Sequence, residues 1–343
     1  MRNQAESAAV PDHGGSLARA AERFAQAPRP WLDLSTGINP HAYPFSPLPA
    51  TAFSRLPEPA ETRRLAEIAA TAYGVGDPAC IVCGPGTQIL LPLVMRLVAT
   101  GRAAVLSPTY AEHARAAALA GHRVIETEAF EALYDAELAI VVNPNNPDGR
   151  VASRERLLHL AAHQQAKGGL LVVDEAFMEV GPQNESVTAD VERGGLVVLR
   201  SFGKFYGLAG VRLGFVLAQR NQADWLAAQL GPWAVSGPTV QIAQEALADE
   251  GWKTAMRAQL KMEAQELDSM LLNHGLSVEG GTSLFRFVRV AHATRLADWL
   301  GHHGILVRPF RFADNVLRIG LPGNDAGLMR LKAALAGYNG QGA

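Results

Sequence analysis

The sequence has little of several things that would define a protein class. It contains only two cysteines, Cys80 and Cys83, among 343 residues, too few for a disulfide framework. The 31 basic and 33 acidic residues nearly balance, and aromatic residues make up 7% of the chain. Without a block of one charge, nucleic acid and anionic membrane surfaces are not expected as partners.

Long apolar runs are also missing. The most apolar stretch, residues 89–99, is interrupted by Pro92 and Arg96, whereas a bilayer span needs about 20 apolar residues. The first residues lack the basic and then apolar layout of a signal peptide. These features predict a cytoplasmic globular protein. Its hydrophobic fraction of 48% is sufficient for a large core.

The first two thirds of the chain contain five short apolar runs, and each is followed by turn or polar residues. They are residues 80–83, 103–106, 139–142, 170–173 and 196–199. Runs without polar alternation predict strands buried on both faces, and the helix-like stretches between them predict a mostly parallel sheet. The segment 61–73, which stops at Gly74, predicts a helix with a glycine C-cap.

The C-terminal third has a different pattern. Residues 240–272 predict a long helix, residues 283–290, 304–307 and 316–319 predict strands, and residues 325–336 predict a final helix. We therefore expect three parts: an N-terminal arm (1–30), a large α/β domain (31–235) and a smaller α+β domain (236–343).

Polar residues follow the predicted strands where a ligand crevice is expected in an open α/β sheet. Asp174 follows one strand and Lys204 lies just beyond another. A lysine at a desolvated strand end can form a Schiff base, and an opposing carboxylate can keep a pyridine ring protonated as an electron sink. Taken singly, Lys204 is better interpreted as a surface lysine, and Asp174 as a helix-capping or loop residue.

Further residues, taken together with Lys204 and Asp174, favour a binding site. Arg212 with Ser201 can clamp a phosphate, and Gly86-Thr87-Gln88 opens a helix whose N-terminus can bind one. Asn146 is either a turn residue or a donor to a ring phenolate, and Tyr110 by itself predicts only packing. The pair Cys80-x-x-Cys83 and the pair His159 and His163 lack further ligands, so no metal site is predicted.

These motifs carry a resemblance along nearly the whole chain, from His13 to about Leu321. The sequence resembles the fold-type-I pyridoxal-phosphate enzymes, the aspartate aminotransferase superfamily, which have a three-layer large domain with a mostly parallel sheet. Its most specific segments are residues 143–149, 174–177 and 201–214. The segments 13–15 and 33–40 are most similar to the threonine-phosphate decarboxylases of cobalamin biosynthesis.

The resemblance implies pyridoxal 5'-phosphate as cofactor, bound covalently to Lys204, with Asp174 at the ring nitrogen. It implies further cofactor contacts from Thr87, Gln88, Tyr110, Asn146, Ser201 and Arg212. It also implies a pocket for a small phosphorylated amino acid formed by His13, Gly14, Asn39, Asn146, Arg308 and Arg318. A homodimer is expected on the same ground.

The implied reaction is decarboxylation of L-threonine O-3-phosphate to (R)-1-aminopropan-2-yl phosphate. Two alternatives stay open: a histidinol-phosphate-type aminotransferase and a non-catalytic pyridoxal-phosphate-binding protein. The sequence departs from the family pattern at Phe177, where a tyrosine is usual, at Gly203, where serine or threonine is common, and at Leu56, which replaces a tyrosine that reaches the neighbouring subunit's cofactor phosphate.

Overall fold

The structure is a computed structural model that describes residues 14–338. Its strands are β1 (Leu32–Asp33), β2 (Ile81–Gly84), β3 (Arg102–Leu106), β4 (Arg123–Thr127), β5 (Leu138–Val142), β6 (Leu170–Asp174), β7 (Leu196–Ser201), β8 (Gly214–Leu217), β9 (Ser277–Thr282), β10 (Phe285–Arg289), β11 (Ile305–Leu306), β12 (Arg308–Phe310) and β13 (Ala313–Gly320).

The α-helices that alternate with these strands are α1 (Leu17–Arg23), α2 (Thr51–Ser54), α3 (Pro59–Tyr73), α4 (Thr87–Val94), α5 (Glu112–Leu119), α6 (Arg154–Ala166), α7 (Phe202–Phe205), α8 (Arg220–Leu230), α9 (Gly237–Ala248), α10 (Glu250–Asn273), α11 (Ala293–His302) and α12 (Asp325–Ala336). Within residues 14–338, none of these helices combines the length and the apolar character that crossing a bilayer requires.

The larger of two compact units comprises residues 43–146 and 151–253 of the described chain. Its seven-stranded sheet has the order β2-β8-β7-β6-β5-β3-β4, in which β8 pairs antiparallel with both neighbours and the other pairs are parallel. All five predicted strands are confirmed. Strands β5 and β6 are buried along their entire length, as expected for a sheet covered on both faces.

The predicted helix before Gly74 is also confirmed. Helix α3 begins with Pro59 at its first position, where a missing N–H costs nothing, and with a capping box between Glu58 and Glu61. It ends at Gly74, whose φ of 71° and ψ of 29° give a left-handed C-cap.

The second unit comprises residues 14–42, 147–150 and 254–338 of the described chain. Its four-stranded antiparallel sheet has the order β12-β13-β10-β9, and β1 pairs in parallel with β11. Strand β9 was absent from the predicted elements, because the glycines Gly280 and Gly281 conceal its pattern.

The division of the chain differs from the expected boundaries. Residues 236–253 group with the larger unit, since α9 packs against α3 and α2. Asp249 separates α9 from α10, so the single helix expected at 240–272 is two helices. Residues 14–42, divided between an arm and the large domain in the prediction, group with the C-terminal unit.

Candidate active site

One cavity of the larger unit collects every cofactor-contact residue expected from the sequence. The lining includes Thr87, Gln88, Tyr110, Asn146, Asp174, Ser201, Lys204 and Arg212. They come together because β2, β3, β5, β6 and β7 run in the same direction, so that the segments after their carboxyl ends meet at one edge of the sheet.

One end of the cavity has the features of an anion site. Helix α4 begins at Thr87, and its first N–H groups have no partner within the helix. Arg212 brings its guanidinium to this point: a Cβ on Gly86 would lie 2.7 Å from Arg212 Nη2. A Cβ on Gly214 would lie 2.5 Å from the backbone nitrogen of Thr87. The two glycines therefore allow a cation and a helix N-terminus to approach each other closely.

Arg212 adopts an uncommon backbone conformation at this anion site. Its φ is 56°, and Trp233 is the only other non-glycine residue with a positive φ in residues 14–338. Such conformations cost of order 1–3 kcal/mol and cluster at functional sites. Nη1 of Arg212 also donates a hydrogen bond to the carbonyl of Ala209, at 3.1 Å.

Asp174 lies at the carboxyl end of β6 and is 5% exposed. Its Oδ1 accepts a hydrogen bond from the backbone N–H of Ala176 at 3.0 Å. Its Oδ2 lies 2.8 Å from Nε2 of His113, whose side chain is completely buried. Contacts to both oxygens fix the orientation of the carboxylate.

Lys204 lies in the short helix α7, directly after β7. Its Nζ is 5.8 Å from the centre of the Phe177 ring, which is 3% exposed. Gly203 leaves room for this turn, since a Cβ there would lie 2.8 Å from Cα of Ala209. A serine or threonine, common at this position in the family, would need that neighbouring backbone to move.

Gln88 lines the cavity with a side chain that is already engaged. Its Oε1 accepts a hydrogen bond from the hydroxyl of Tyr110 at 3.0 Å, and its Nε2 donates to Glu112 Oε2. Glu112 is 1% exposed. Because both ends of the amide are used, the backbone N–H of Gln88, in the first turn of α4, is the group it can offer to a phosphate.

A second polar cluster belongs to the smaller unit and contains two arginines. Arg308 in β12 lies directly opposite Arg318 in β13. Arg318 is 8% exposed, and its Nη2 donates to the carbonyl of Ser35 at 2.7 Å. Burial and the adjacent Arg308 lower the pKa of Arg318 to about 10. An anionic ligand would relieve this repulsion.

The residues around Ser35 link the same cluster to Gly14. Asp33 Oδ1 accepts hydrogen bonds from the backbone and the hydroxyl of Ser35, at 2.9 and 2.6 Å. The Ser35 hydroxyl accepts from Gly15 N–H at 2.7 Å, and a Cβ on Gly14 would lie 2.6 Å from the Ser35 carbonyl. Asn39 is buried, and its Oδ1 accepts from His41 N–H at 2.8 Å.

The remaining sequence candidates have simpler environments. His13 lies outside the described residues. Cys80 and Cys83 are free thiols, and burial raises the pKa of Cys83 to about 12. His159 accepts or donates a hydrogen bond at Tyr134 Oη, 2.7 Å away, and His163 contacts the Tyr134 carbonyl at 3.2 Å. These contacts account for the histidine pair as part of a surface cluster around Tyr134.

Sequence reasoning missed His113 and Glu112. Both lie at the start of α5, and His113 makes its contact with a residue 61 positions away. The available signal was the spacing from Tyr110 to His113, which resembles one helical turn; the two rings meet edge to face with centroids 5.9 Å apart.

Comparison with known proteins identifies the family. The model of the aminotransferase class I and II family matches residues 59–335, and the chain belongs to this family. The resemblance inferred from the motifs is thereby confirmed, as is the expected fold class.

The chain is 43% identical to the threonine-phosphate decarboxylase of Pseudomonas aeruginosa over 337 residues, covering 95% of this chain and 98% of the relative. It is 28% identical to a histidinol-phosphate aminotransferase of Aeromonas salmonicida, covering 68% of each. The crystal structure of histidinol-phosphate aminotransferase from Sinorhizobium meliloti in complex with pyridoxal-5'-phosphate matches with a TM-score of 0.80 at 23% identity, covering 98% of this chain and 96% of the other.

Proposed function

We propose that this protein is a pyridoxal-phosphate-dependent decarboxylase that converts L-threonine O-3-phosphate to (R)-1-aminopropan-2-yl phosphate in cobalamin biosynthesis. The observation that carries the proposal is the 43% identity to a threonine-phosphate decarboxylase over nearly the full length of both chains. The histidinol-phosphate aminotransferase relative is less similar, at 28% identity.

The residues of the cavity fit pyridoxal phosphate. The space between Gly86, Gly214 and the Arg212 guanidinium is bounded by cationic and N–H donors, which suits a phosphate dianion. We infer that Thr87, Gln88, Ser201 and Arg212 hold the phosphate. Lys204 then supplies the amine for the cofactor aldehyde, and Asn146 the donor to the ring hydroxyl.

Tyr110 and Asp174 complete the proposed cofactor contacts. Tyr110 stacks on the ring, and Asp174 holds a proton at the ring nitrogen. Bound in this way, pyridoxal phosphate supplies a ring that accepts the electron pair released when a bond to the substrate α-carbon breaks. The carboxylate of Asp174, fixed by Ala176 and His113, keeps that ring protonated.

The protein's own groups direct which bond breaks. We infer that Arg318 binds the substrate carboxylate and Arg308 its phosphate; His13, Gly14, Asn39 and Asn146 are the further substrate contacts that the sequence resemblance implies. Holding both anionic ends would orient the substrate so that its carboxylate is lost as carbon dioxide. When the substrate amine replaces Lys204 at the cofactor, Lys204 would be released with the proton that the substrate ammonium gives up, and it would then donate that proton to the α-carbon.

We further propose that the enzyme acts in the cytoplasm as a homodimer. Three large apolar side chains of the larger unit are strongly exposed in the single chain: Phe53 at 69%, Leu56 at 62% and Trp233 at 58%. A dimer interface that covers these side chains would remove their apolar surface from water, which is favourable. The replacement Phe53→Glu should shift the sedimentation coefficient of the protein toward that of a monomer. A wild-type protein that sediments as a monomer and is fully active would refute the dimer.

A product assay tests the reaction. The holoenzyme is mixed with L-threonine O-3-phosphate without a keto acid, while carbon dioxide and cofactor absorbance are followed together. We expect continuous release of carbon dioxide, with the cofactor remaining in its aldehyde form. An aminotransferase would instead accumulate the amine form of the cofactor with histidinol phosphate, evolve no gas and need 2-oxoglutarate to recover. A non-catalytic binding protein would do neither.

A further inference from the structure

The carboxylate of Glu112 is not part of the lining of the cofactor cavity, but it contacts Gln88, which is. It stands in the first turn of α5 and is 1% exposed. Its Oε2 accepts hydrogen bonds from Nε2 of Gln88 and, at 3.1 Å, from Nη1 of Arg115. A carboxylate this deeply buried is rare unless it is paired, and its partners connect it to the cavity.

The connection runs through a side-chain amide with two different ends. Gln88 donates through Nε2 to Glu112 and accepts through Oε1 from the hydroxyl of Tyr110, at 3.0 Å. Glu112 Oε2 is the acceptor of this bond, so it holds the NH₂ end of the amide toward α5. The carbonyl end is thereby left facing Tyr110.

We propose that Glu112 is a positioning residue, which orients the Gln88 amide so that Gln88 Oε1 holds the Tyr110 hydroxyl and keeps the Tyr110 ring in place for the cofactor. This inference rests on the proposed function, in which Tyr110 stacks on pyridoxal phosphate. Glu112 and the adjacent His113 then each orient a cofactor contact: Glu112 orients Tyr110 through Gln88, and His113 orients the carboxylate of Asp174.

Glu112 should affect cofactor binding through the orientation of the Gln88 amide and not through its own charge. Without the carboxylate, the Gln88 amide can rotate and present its NH₂ group to Tyr110, which removes the acceptor for the tyrosine hydroxyl. A hydrogen bond that involves a charged group is worth enough to change an equilibrium constant about tenfold or more. Affinity for the cofactor should therefore depend on Glu112 through Tyr110.

The test measures the dissociation constant of pyridoxal phosphate by absorbance titration of the apoprotein. Glu112→Ala should weaken binding about tenfold, and Glu112→Gln, which retains an acceptor oxygen, should recover most of the loss. In a Tyr110→Phe background, Glu112→Ala should cause little further loss, since the hydroxyl through which it acts is gone. Glu112→Met, apolar and of similar length, gives the same comparison if Glu112→Ala does not fold.

Arg115→Met serves as the matched control, because it removes a second hydrogen-bond partner of Glu112 and leaves Gln88 in place. We expect its affinity to stay within about twofold of the wild type, because Glu112 keeps its acceptor oxygens for the Gln88 amide and its ion pair with Arg115 is an i,i+3 contact within one helix. Full additivity between positions 110 and 112, or a loss in Arg115→Met equal to that in Glu112→Ala, would overturn the inference. Wild-type protein that does not bind pyridoxal phosphate would instead refute the proposed function itself, together with this inference.

Discussion

His113 Nε2 and Asp174 Oδ2 lie 2.8 Å apart, and the two side chains are 0% and 8% exposed. This pair joins α5 to the end of β6, two elements that are distant in sequence. The buried histidine leaves Asp174 one orientation, because the other carboxylate oxygen is held by Ala176 N–H. A carboxylate fixed in this way can stabilise a positive charge placed in the cavity with little reorganisation.

Asp174→Asn should therefore separate cofactor binding from turnover. The amide retains the shape of the side chain and leaves the anion site around Arg212 intact, so pyridoxal phosphate should still bind. Turnover should fall by about a hundredfold or more, the scale observed when a preorganised electrostatic partner is removed. Cofactor absorbance and carbon dioxide release, measured on the same sample, check both effects; a rate near that of the wild type would exclude Asp174 as the ring partner.

The elements that the sequence predicts correctly are those with a signal in neighbouring residues. The strands ending at Asp174 and Ser201 were predicted because continuous apolar runs and the polar residues after them are local signals. Parallel alignment then made their convergence foreseeable. The helix over 325–336 was likewise predicted at its observed bounds.

Other features depend on contacts between distant segments. Nothing near Glu112 in the sequence indicates that it pairs with Gln88, 24 residues away. The break at Asp249 was missed because the apolar pattern continues from α9 into α10. The grouping of residues 14–42 with the C-terminal unit includes the pairing of β1 with β11, and pairing between strands so far apart has no local signature.

Lys204 should be the point of covalent attachment of the cofactor. Purified protein should be yellow, and borohydride should bleach the visible band while fixing the cofactor to this residue. Lys204→Ala should lack the reducible band and lose essentially all turnover, because no other lysine lines the cavity among the described residues. Peptide mapping identifies the labelled residue; a label elsewhere would remove the basis of the assignment.

Arg200 should be critical for stability, although it does not line the cavity. It is 4% exposed and contacts two buried carboxylates, Glu175 Oε2 at 2.8 Å and Glu179 Oε1 at 2.9 Å. Arg200→Met leaves both carboxylates without this cation, and breaking a buried ion pair in this way costs about 3–5 kcal/mol. The midpoint of urea denaturation should fall accordingly.

The pH dependence of the Arg200→Met variant provides a second measurement. Burial raises the pKa of Glu175 above its ordinary value of 4.5 even with Arg200 present, and removal of the cation should raise it further. The folded state then binds more protons than the unfolded state, so the free energy of unfolding of the variant should decrease as the pH rises above about 4.5. The triple variant Arg200→Met/Glu175→Gln/Glu179→Gln should regain part of the loss at neutral pH. A midpoint for Arg200→Met equal to that of the wild type would contradict the argument.

Arg318 and Arg308 should have separable effects on substrate use. Arg318 is buried, donates a hydrogen bond to the Ser35 carbonyl and lies opposite Arg308 across β12 and β13. We infer that the two guanidinium groups bind the two anionic ends of the substrate. Arg318→Ala should lower kcat/KM for L-threonine O-3-phosphate by about 10²-fold or more, since a charged hydrogen bond to the carboxylate is lost. Arg308→Ala should mainly reduce the preference for the phosphorylated substrate over free threonine. It should raise the KM for L-threonine O-3-phosphate and change the KM for threonine little. Steady-state kinetics with both substrates measure this difference, and Arg308→Lys, which retains the charge but not the planar fork, should recover only part of the preference. Equal losses on the two substrates in Arg308→Ala would exclude Arg308 as the phosphate contact.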